Sequence, residues 1–368
     1  MLILQIITLA NSNGLYGGPF DAACNQARLL EDAGHDVSLV TGRLRHDSLM
    51  GIASGVKLTA IPVRRHLPTP DFTSLFSWSI LRCMWRMIGK SDVVHIGLGR
   101  ELIPVAALVI SAIRRVPVVI QPHGMLTSRV SLAHRVVDLV LRPLVSHVAT
   151  SVIALTKIES QELAAWDARL TDRISTIGNP LPYTAEERHQ LLLLRRLPEA
   201  LFLARLHPRK RVRDFVDAAT TAASRGWTDK YLVIGPDQGD LRSVEQAAGN
   251  LPNLTYAGSI SPNKVPNQVG RSSVFVLPSK SEPWGNVLVM AINLGIPVVV
   301  TESAALADEI RSNKLGIVVP DGDTAAIARA VHDLINLKKA VPSAFAESHY
   351  SNTAVACRLD TIFRDAIG

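Results

Sequence analysis

The stretch SKSEPWGNVLVMAINLGIPVVV, residues 279–300, decides the fold. It begins with a turn bearing Pro283 and Gly285, continues as an apolar helical run from near Asn286, and ends in a short run rich in valine. An apolar segment, SVFVLPS (273–279), comes just before it. Strand, turn, helix and strand in this order predict a β-α-β unit of a parallel sheet.

The same alternation spreads outward in both directions. LILQIIT (2–8), DVSLVT (36–41), KLTAIPV (57–63), DVVHI (92–96), VPVVIQ (116–121), SVIAL (151–155) and RISTIG (173–178) read as strands. Helical periodicity fills the gaps, as in FDAACNQARLLEDAGH (20–35). Several strands are apolar on both faces, as expected of a parallel sheet covered by helices on each side. Residues 179–200 break the pattern with prolines and charges and predict a connection between domains. The alternation then restarts with ALFLARL (200–206), KYLVIG (230–235), NLTYAGS (253–259), SVFVLPS, IPVVVT (296–301) and GIVVP (316–320). The expected architecture is α/β, with two doubly wound Rossmann-like domains facing each other across a cleft. Their expected bounds are 1–182 and 183–342, with a terminal helix over 343–368 that packs back onto the first domain.

Composition narrows the function classes. At 368 residues and 47% hydrophobic, the chain suits two packed cores. Cys24, Cys83 and Cys357 lie far apart, which excludes a C-x-x-C metal or redox site and fits a reducing compartment. The apolar start MLILQIITLAN lacks a basic flank and a small-residue cleavage site, so it reads as a first strand. A cytoplasmic location is expected. The net charge of +7 comes with an aromatic-poor composition and no recognition module for nucleic acid, so phosphate-bearing substrates or an anionic membrane surface suit it better. FTSLFSWSILRCMWRMIGK (72–90) is apolar and basic, which fits either an interfacial helix or a core helix with basic ends.

Chemistry in such folds comes from the loops after the strands. In ANSNGLYGGPFD (10–21), Gly17 and Gly18 permit either close approach to a ligand or a plain tight turn. No G-x-G-x-x-G fingerprint is present. In QPHGMLTS (121–128), His123 stands at a strand end, where an imidazole can bond a sugar hydroxyl or serve structure; His95 reads as a core residue. In LARLHPRKRVRDF (203–215), Arg205 and Lys210 are spaced to converge on a diphosphate or to lie on a solvated surface. VIGPDQGD (233–240) places Asp237 and Asp240 after Gly235, where a turn-and-cap role is expected. Glu282 either accepts from sugar hydroxyls or serves as an acid near a helix N-terminus, whose first amides belong to Gly285, Asn286 and Val287.

Taken in order, YGGPFDAACNQARLLEDAGHDVSLVTG, VPVVIQPHGML, ARLHPRKRV, VIGPDQGD, VFVLPSKSEPWGNVLVMAINLGIPVVVT and GIVVPDGDTAAIARAV resemble the retaining glycosyltransferases of family four, which adopt the GT-B fold. The resemblance runs nearly end to end. It implies transfer of a hexose-type sugar from a UDP-sugar or GDP-sugar donor to a glycan or lipid-linked acceptor, with no metal required, in bacterial polysaccharide or glycolipid synthesis. Carried over by residue, it implies Gly17 and Gly18 beside the donor phosphate and acceptor, and His123 on the donor sugar. Arg205 and Lys210 would neutralise the diphosphate, Glu282 would hold sugar hydroxyls, the base would rest near Gly258 to Ile260, and Gly235 would belong to the donor site. The chain departs from the pattern at Met290, where the family carries a second glutamate that bonds the nucleotide ribose. A methionine cannot accept those bonds usefully, and the loss is worth roughly 1.5–3 kcal/mol. A donor-binding protein without turnover, and a sugar-nucleotide epimerase, are the alternatives.

Overall fold

The computed structural model describes residues 1–10, 17–44, 55–66, 73–126, 132–337, 341 and 343–368. The chain divides into two compact units, Met1–Pro180 with Thr353–Gly368, and Leu181–Asn352.

The first unit is built on strands β1 (Leu2–Ala10), β2 (Asp36–Arg43), β3 (Lys57–Pro62), β4 (Val93–Gly97), β5 (Val118–Gln121), β6 (Ala149–Ala154) and β7 (Ile174–Thr176), in the order β3-β2-β1-β4-β5-β6-β7. All neighbours are parallel, with Gln5 opposite His95 across β1 and β4. Helices α1 (Gly17–Asp32), α2 (Trp78–Ile88), α3 (Leu102–Arg114), α4 (Leu132–Val148) and α5 (Lys157–Trp166) fall between strands. Alternate β1 residues serve two cores: Leu4 and Ile6 pack with Val94, Ile96, Ile120, Met84 and Ile103, whereas Ile3 packs with Val93, Val119 and Phe363. That double burial is why the strands read as continuous apolar runs. A fully buried side chain of this size contributes about 1.5–3 kcal/mol.

The second unit carries β8 (Leu197–Leu203), β9 (Lys230–Ile234), β10 (Leu254–Tyr256), β11 (Ser272–Leu277), β12 (Val298–Thr301) and β13 (Gly316–Val319), in the order β10-β9-β8-β11-β12-β13. These pairs are parallel too. The helices used below are α6 (Val212–Ser224), α7 (Asn286–Asn293) and α8 (Ser343–Tyr350). Phe202, Phe215 and Tyr231 form the aromatic centre of the core, with ring centroids 5.7 Å and 5.2 Å apart along the series. In both sheets the order reverses beside the first strand of the unit. The loops leaving β8 and β11 therefore flank a switch point, the usual ligand crevice of an open α/β sheet.

The expected α/β architecture of two Rossmann-like halves is thus present. Two segments differ in detail from expectation. Residues 179–200 hold a helix, Ala185–Leu192, started by a capping box between Thr184 and Glu187. The terminal segment is two helices, α8 and α9 (Asn352–Ile367), and Asn352 is fixed between them by bonds to the backbone of Leu181 and Tyr183 at 2.8–3.0 Å. α9 buries Leu359 and Phe363 against the first unit's sheet, and its Asp360 meets His35 at 2.7 Å.

Candidate active site

The loop after β8 holds both expected cations. Arg205 lies two residues past the strand and is half-buried. Lys210 closes a short 3-10 turn, Pro208–Lys210; Arg211, in the left-handed region, separates it from α6. Its ammonium donates to the Glu282 carboxylate, and both side chains are largely removed from water. Burial pulls the Lys210 ammonium below its ordinary range, Glu282 pulls it back up, and the positive charges of Arg209 and Arg205 push it down again. Lys210 and Glu282 thus meet directly, with the Arg205 charge beside them.

Glu282 sits in a loop that takes an unusual backbone. Ser281 has φ = 51° and Gly285 has φ = 77°, the left-handed region that favours glycine. The Ser281 N–H donates to Ser303 Oγ (3.0 Å), and Ser303 Oγ donates to Asp321 (2.7 Å), which also accepts from the Ser303 N–H (3.1 Å). The Glu282 carbonyl accepts from Ala305 (2.9 Å). These bonds fix where the carboxylate stands. Gly285 caps α7, so the amides of Asn286 and Val287 begin an eight-residue helix beside Glu282. Met290 is buried one turn further on, 4% exposed.

Gly235 and Gly258 meet at the ends of β9 and β10, with Gly235 N–H donating to Gly258 C=O at 2.9 Å. A Cβ at Gly235 would lie 1.8 Å from the Ala204 carbonyl, so glycine is required there by strand packing alone. Ile260 is half-buried two residues on. Asp237 accepts from Gly239 and Leu241 at 2.8 and 3.2 Å, a turn-and-cap role, whereas Asp240 instead accepts from Arg213 Nε at 2.8 Å. Among the described residues no group of three or more His, Cys, Asp or Glu side chains is placed to hold a metal ion.

In the first unit, residues 11–16 of the glycine-bearing loop and residues 127–128 of the histidine loop lie outside the described residues. Gly17 and Gly18 open α1, and a Cβ at Gly18 would meet nothing within 4 Å. His123 follows β5 with φ = 53°. Burial, with His95 beside it, pushes its imidazole down to about 3, so it is neutral at pH 7. His95 is a core residue: its Nδ1 lies 3.3 Å from Gln5, and its ring packs edge-on against Phe363.

Sequence reading missed the groups that hold these loops. Ser303 and Asp321 lie far along the chain from Ser281 and carry no local signal. Glu159 did carry one: Thr156-x-x-Glu159 matches a capping box, and Thr156 accepts from Glu159 N–H at 3.1 Å. Its carboxylate, however, accepts from Leu155 (2.6 Å) and Gly124 (2.5 Å), the latter 35 residues away.

Two parallel sheets, each with a switch point, and a buried cation–carboxylate pair in the second unit make this an α/β protein of two Rossmann-like halves. Residues 17–180 match the glycosyl transferase 4-like domain and residues 198–337 match the glycosyl transferases group 1 domain. The chain belongs to this glycosyltransferase family. It is 27% identical to the alpha-D-kanosaminyltransferase of Streptomyces kanamyceticus over 46% of each chain. It is 25% identical to the phosphatidyl-myo-inositol mannosyltransferase of Mycobacterium leprae over 92% of this chain and 87% of that one. Against the kanosaminyltransferase the chain thus spans about half of the relative's length. Among solved structures, Anabaena HepE in complex with UDP superposes with a TM-score of 0.75 at 16% identity, over 99% of this chain and all of that one.

Proposed function

We propose that this protein is a retaining glycosyltransferase that moves a hexose-type sugar from a UDP- or GDP-sugar to a glycan or lipid-linked acceptor, in polysaccharide or glycolipid synthesis. The observation that carries the reading is the buried Lys210–Glu282 pair at the switch point of the second sheet, with the positive charge of Arg205 beside it. An ammonium and a guanidinium there neutralise the two phosphates of the donor. Glu282, an acceptor-only group when ionised, takes the sugar hydroxyls, with the α7 amides of Asn286 and Val287 and the Gly285 turn around sugar and phosphate. Gly235, Gly258 and Ile260 edge the space for the base; Gly17 and Gly18 serve the acceptor side; and neutral His123 exchanges a hydrogen bond with the sugar.

The reaction needs no carboxylate nucleophile. The bond from the anomeric carbon to the diphosphate breaks, and its electron pair stays on the phosphate oxygen. The acceptor hydroxyl attacks from the same face, and its proton passes to that oxygen. Arg205 and Lys210 meet the charge that builds on the leaving group, so the catalysis is electrostatic and we propose that no metal is needed. Assays of UDP-glucose and GDP-mannose in EDTA, with NMR of the anomeric configuration, test each part. Retained configuration in EDTA is expected; an inverted product or loss of turnover in EDTA contradicts it.

Met290 favours a second reading, a binding protein without turnover, because an apolar side chain stands where the family has its ribose acid. Donor binding with no product from any acceptor would establish it.

A cytoplasmic protein that visits the membrane is proposed from α2. Trp78 is 73% exposed and Trp85 43%, with Arg82 and Arg86 along the same helix and Lys90 just past its end. Ile80, Met84 and Ile88 face the core, so the helix is structural on one side. Among the described residues no helix is long and apolar enough to cross a membrane. Flotation with anionic vesicles tests the contact, and protein left in the bottom fraction contradicts it.

A further inference from the structure

The imidazole of His123 is presented by a turn the chain does not favour. Met125 N–H closes onto Pro122 C=O at 3.0 Å, with φ = 53° at His123 and 77° at Gly124. Two successive positive φ values make a mirror-image turn, whose first central position favours Asn, Asp or Gly. A histidine held there is strained and persists only where its surroundings over-determine it.

Two buried charged systems, one on each peptide edge, do this. The Glu159 carboxylate, 4% exposed, accepts from Gly124 N–H. Arg100 Nη1 donates to the Met125 carbonyl at 2.7 Å. Asp138, 2% exposed, holds the same guanidinium at 2.8 and 2.9 Å and accepts from Trp166 Nε1 at 2.9 Å. The groups come from three elements: Arg100 from the loop after β4, Asp138 from α4, and Glu159 and Trp166 from the two ends of α5. Buried ionic groups are poor sources of stability compared with apolar residues of the same shape. Their convergence on a single four-residue turn therefore points to what the turn carries.

We propose that Glu159 and the Arg100–Asp138 pair are positioning residues that lock the 122–125 turn and aim His123 at the donor sugar. This rests on the reading of His123 given above. None of the three touches substrate. Glu159→Gln puts an amide N–H donor where one of two backbone N–H groups needs an acceptor, and Arg100→Lys loses the fork that reaches Met125 and Asp138 together. Either change frees the turn to relax toward negative φ and swings the imidazole away.

The test combines ring NMR of the 15N-histidine-labelled protein with release of nucleoside diphosphate from UDP-glucose and GDP-mannose. In Glu159→Gln and in Arg100→Lys the His123 ring signals shift or broaden while those of exposed His66 stay in place. Turnover falls by about 100-fold, the scale of an ångström's misplacement, with the donor KM nearly unchanged. In a His123→Ala background, Glu159→Gln then costs nothing further, whereas a merely structural role would cost the same factor in both backgrounds. Should Glu159→Gln not fold, Arg100→Lys carries both readouts alone. His123 ring signals unmoved in the folded variants overturn the proposal. Wild-type turnover in His123→Ala, with the ring moved by Glu159→Gln, sustains the positioning and overturns the donor role of His123.

Discussion

The Lys210 ammonium donates to the Glu282 carboxylate, joining the loop after β8 to the loop after β11. Both side chains are mostly buried, at 13% and 5% exposure, and each compensates the charge of the other. The pair thus holds the two loops together; under the proposed function it would divide its charges between phosphate and sugar when the donor arrives.

Removing one member leaves the other buried and unpaired. Lys210→Ala is expected to lower stability by about 3–5 kcal/mol. Lys210→Met with Glu282→Gln recovers most of that but restores no turnover. Urea melts and product assays on the three proteins check both halves. A double variant that is as unstable as Lys210→Ala contradicts the pairing argument.

Arg205 is half-buried at the same switch point. Arg205→Ala is expected to weaken nucleoside diphosphate binding by roughly 1.5–3 kcal/mol, one to two decades. Calorimetric titration of the variant measures it; unchanged affinity would remove Arg205 from the diphosphate site.

Met290, 4% exposed in α7, permits a converse experiment. Met290→Glu buries a carboxylate without a partner, so the ligand-free protein melts lower. If the ribose lies where the family pattern implies, UDP or GDP then raises the melting temperature by more than it does in the native chain. An equal rise in both proteins would place the ribose elsewhere.

The stability of the first unit should fall in mild acid. Burial holds His95 at about 4 against an ordinary 6.5. Between these values the unfolded chain binds a proton that the folded one does not, so stability declines as pH drops from about 6.5 toward 4. The share from this group is on the order of 3 kcal/mol, taking about 1.4 kcal/mol per unit. His95→Gln should flatten the acid limb of a pH series of urea melts; an unaltered slope would exclude His95 as its source.

The strands were legible because a parallel sheet covered on both faces leaves short valine, isoleucine and leucine runs, distinguished by their length from apolar helices such as α3. That Arg205, Lys210 and Glu282 lie on the loops leaving β8 and β11 was legible too, since those loops follow such runs. What could not be read were pairings across distance. Nothing near Glu282 predicts that its charge meets Lys210, nor that Ser303 and Asp321 fix Ser281. Thr156 does cap α5 through the Glu159 N–H, but no local pattern shows that the Glu159 carboxylate also reaches Gly124, 35 residues away. The break at Ser351–Asn352 was missed because side-chain bonds from Asn352, rather than proline or glycine, fix the chain there.

The most direct measurement is calorimetric titration of the EDTA-treated protein with UDP and with GDP, repeated on Lys210→Met with Glu282→Gln. The account predicts that one of the two nucleotides binds the native chain and that this binding is weakened at least tenfold in the double variant. Binding of equal strength in both proteins, or no heat from either nucleotide at saturating concentration, would contradict the assignment of the buried pair to a nucleotide-sugar site.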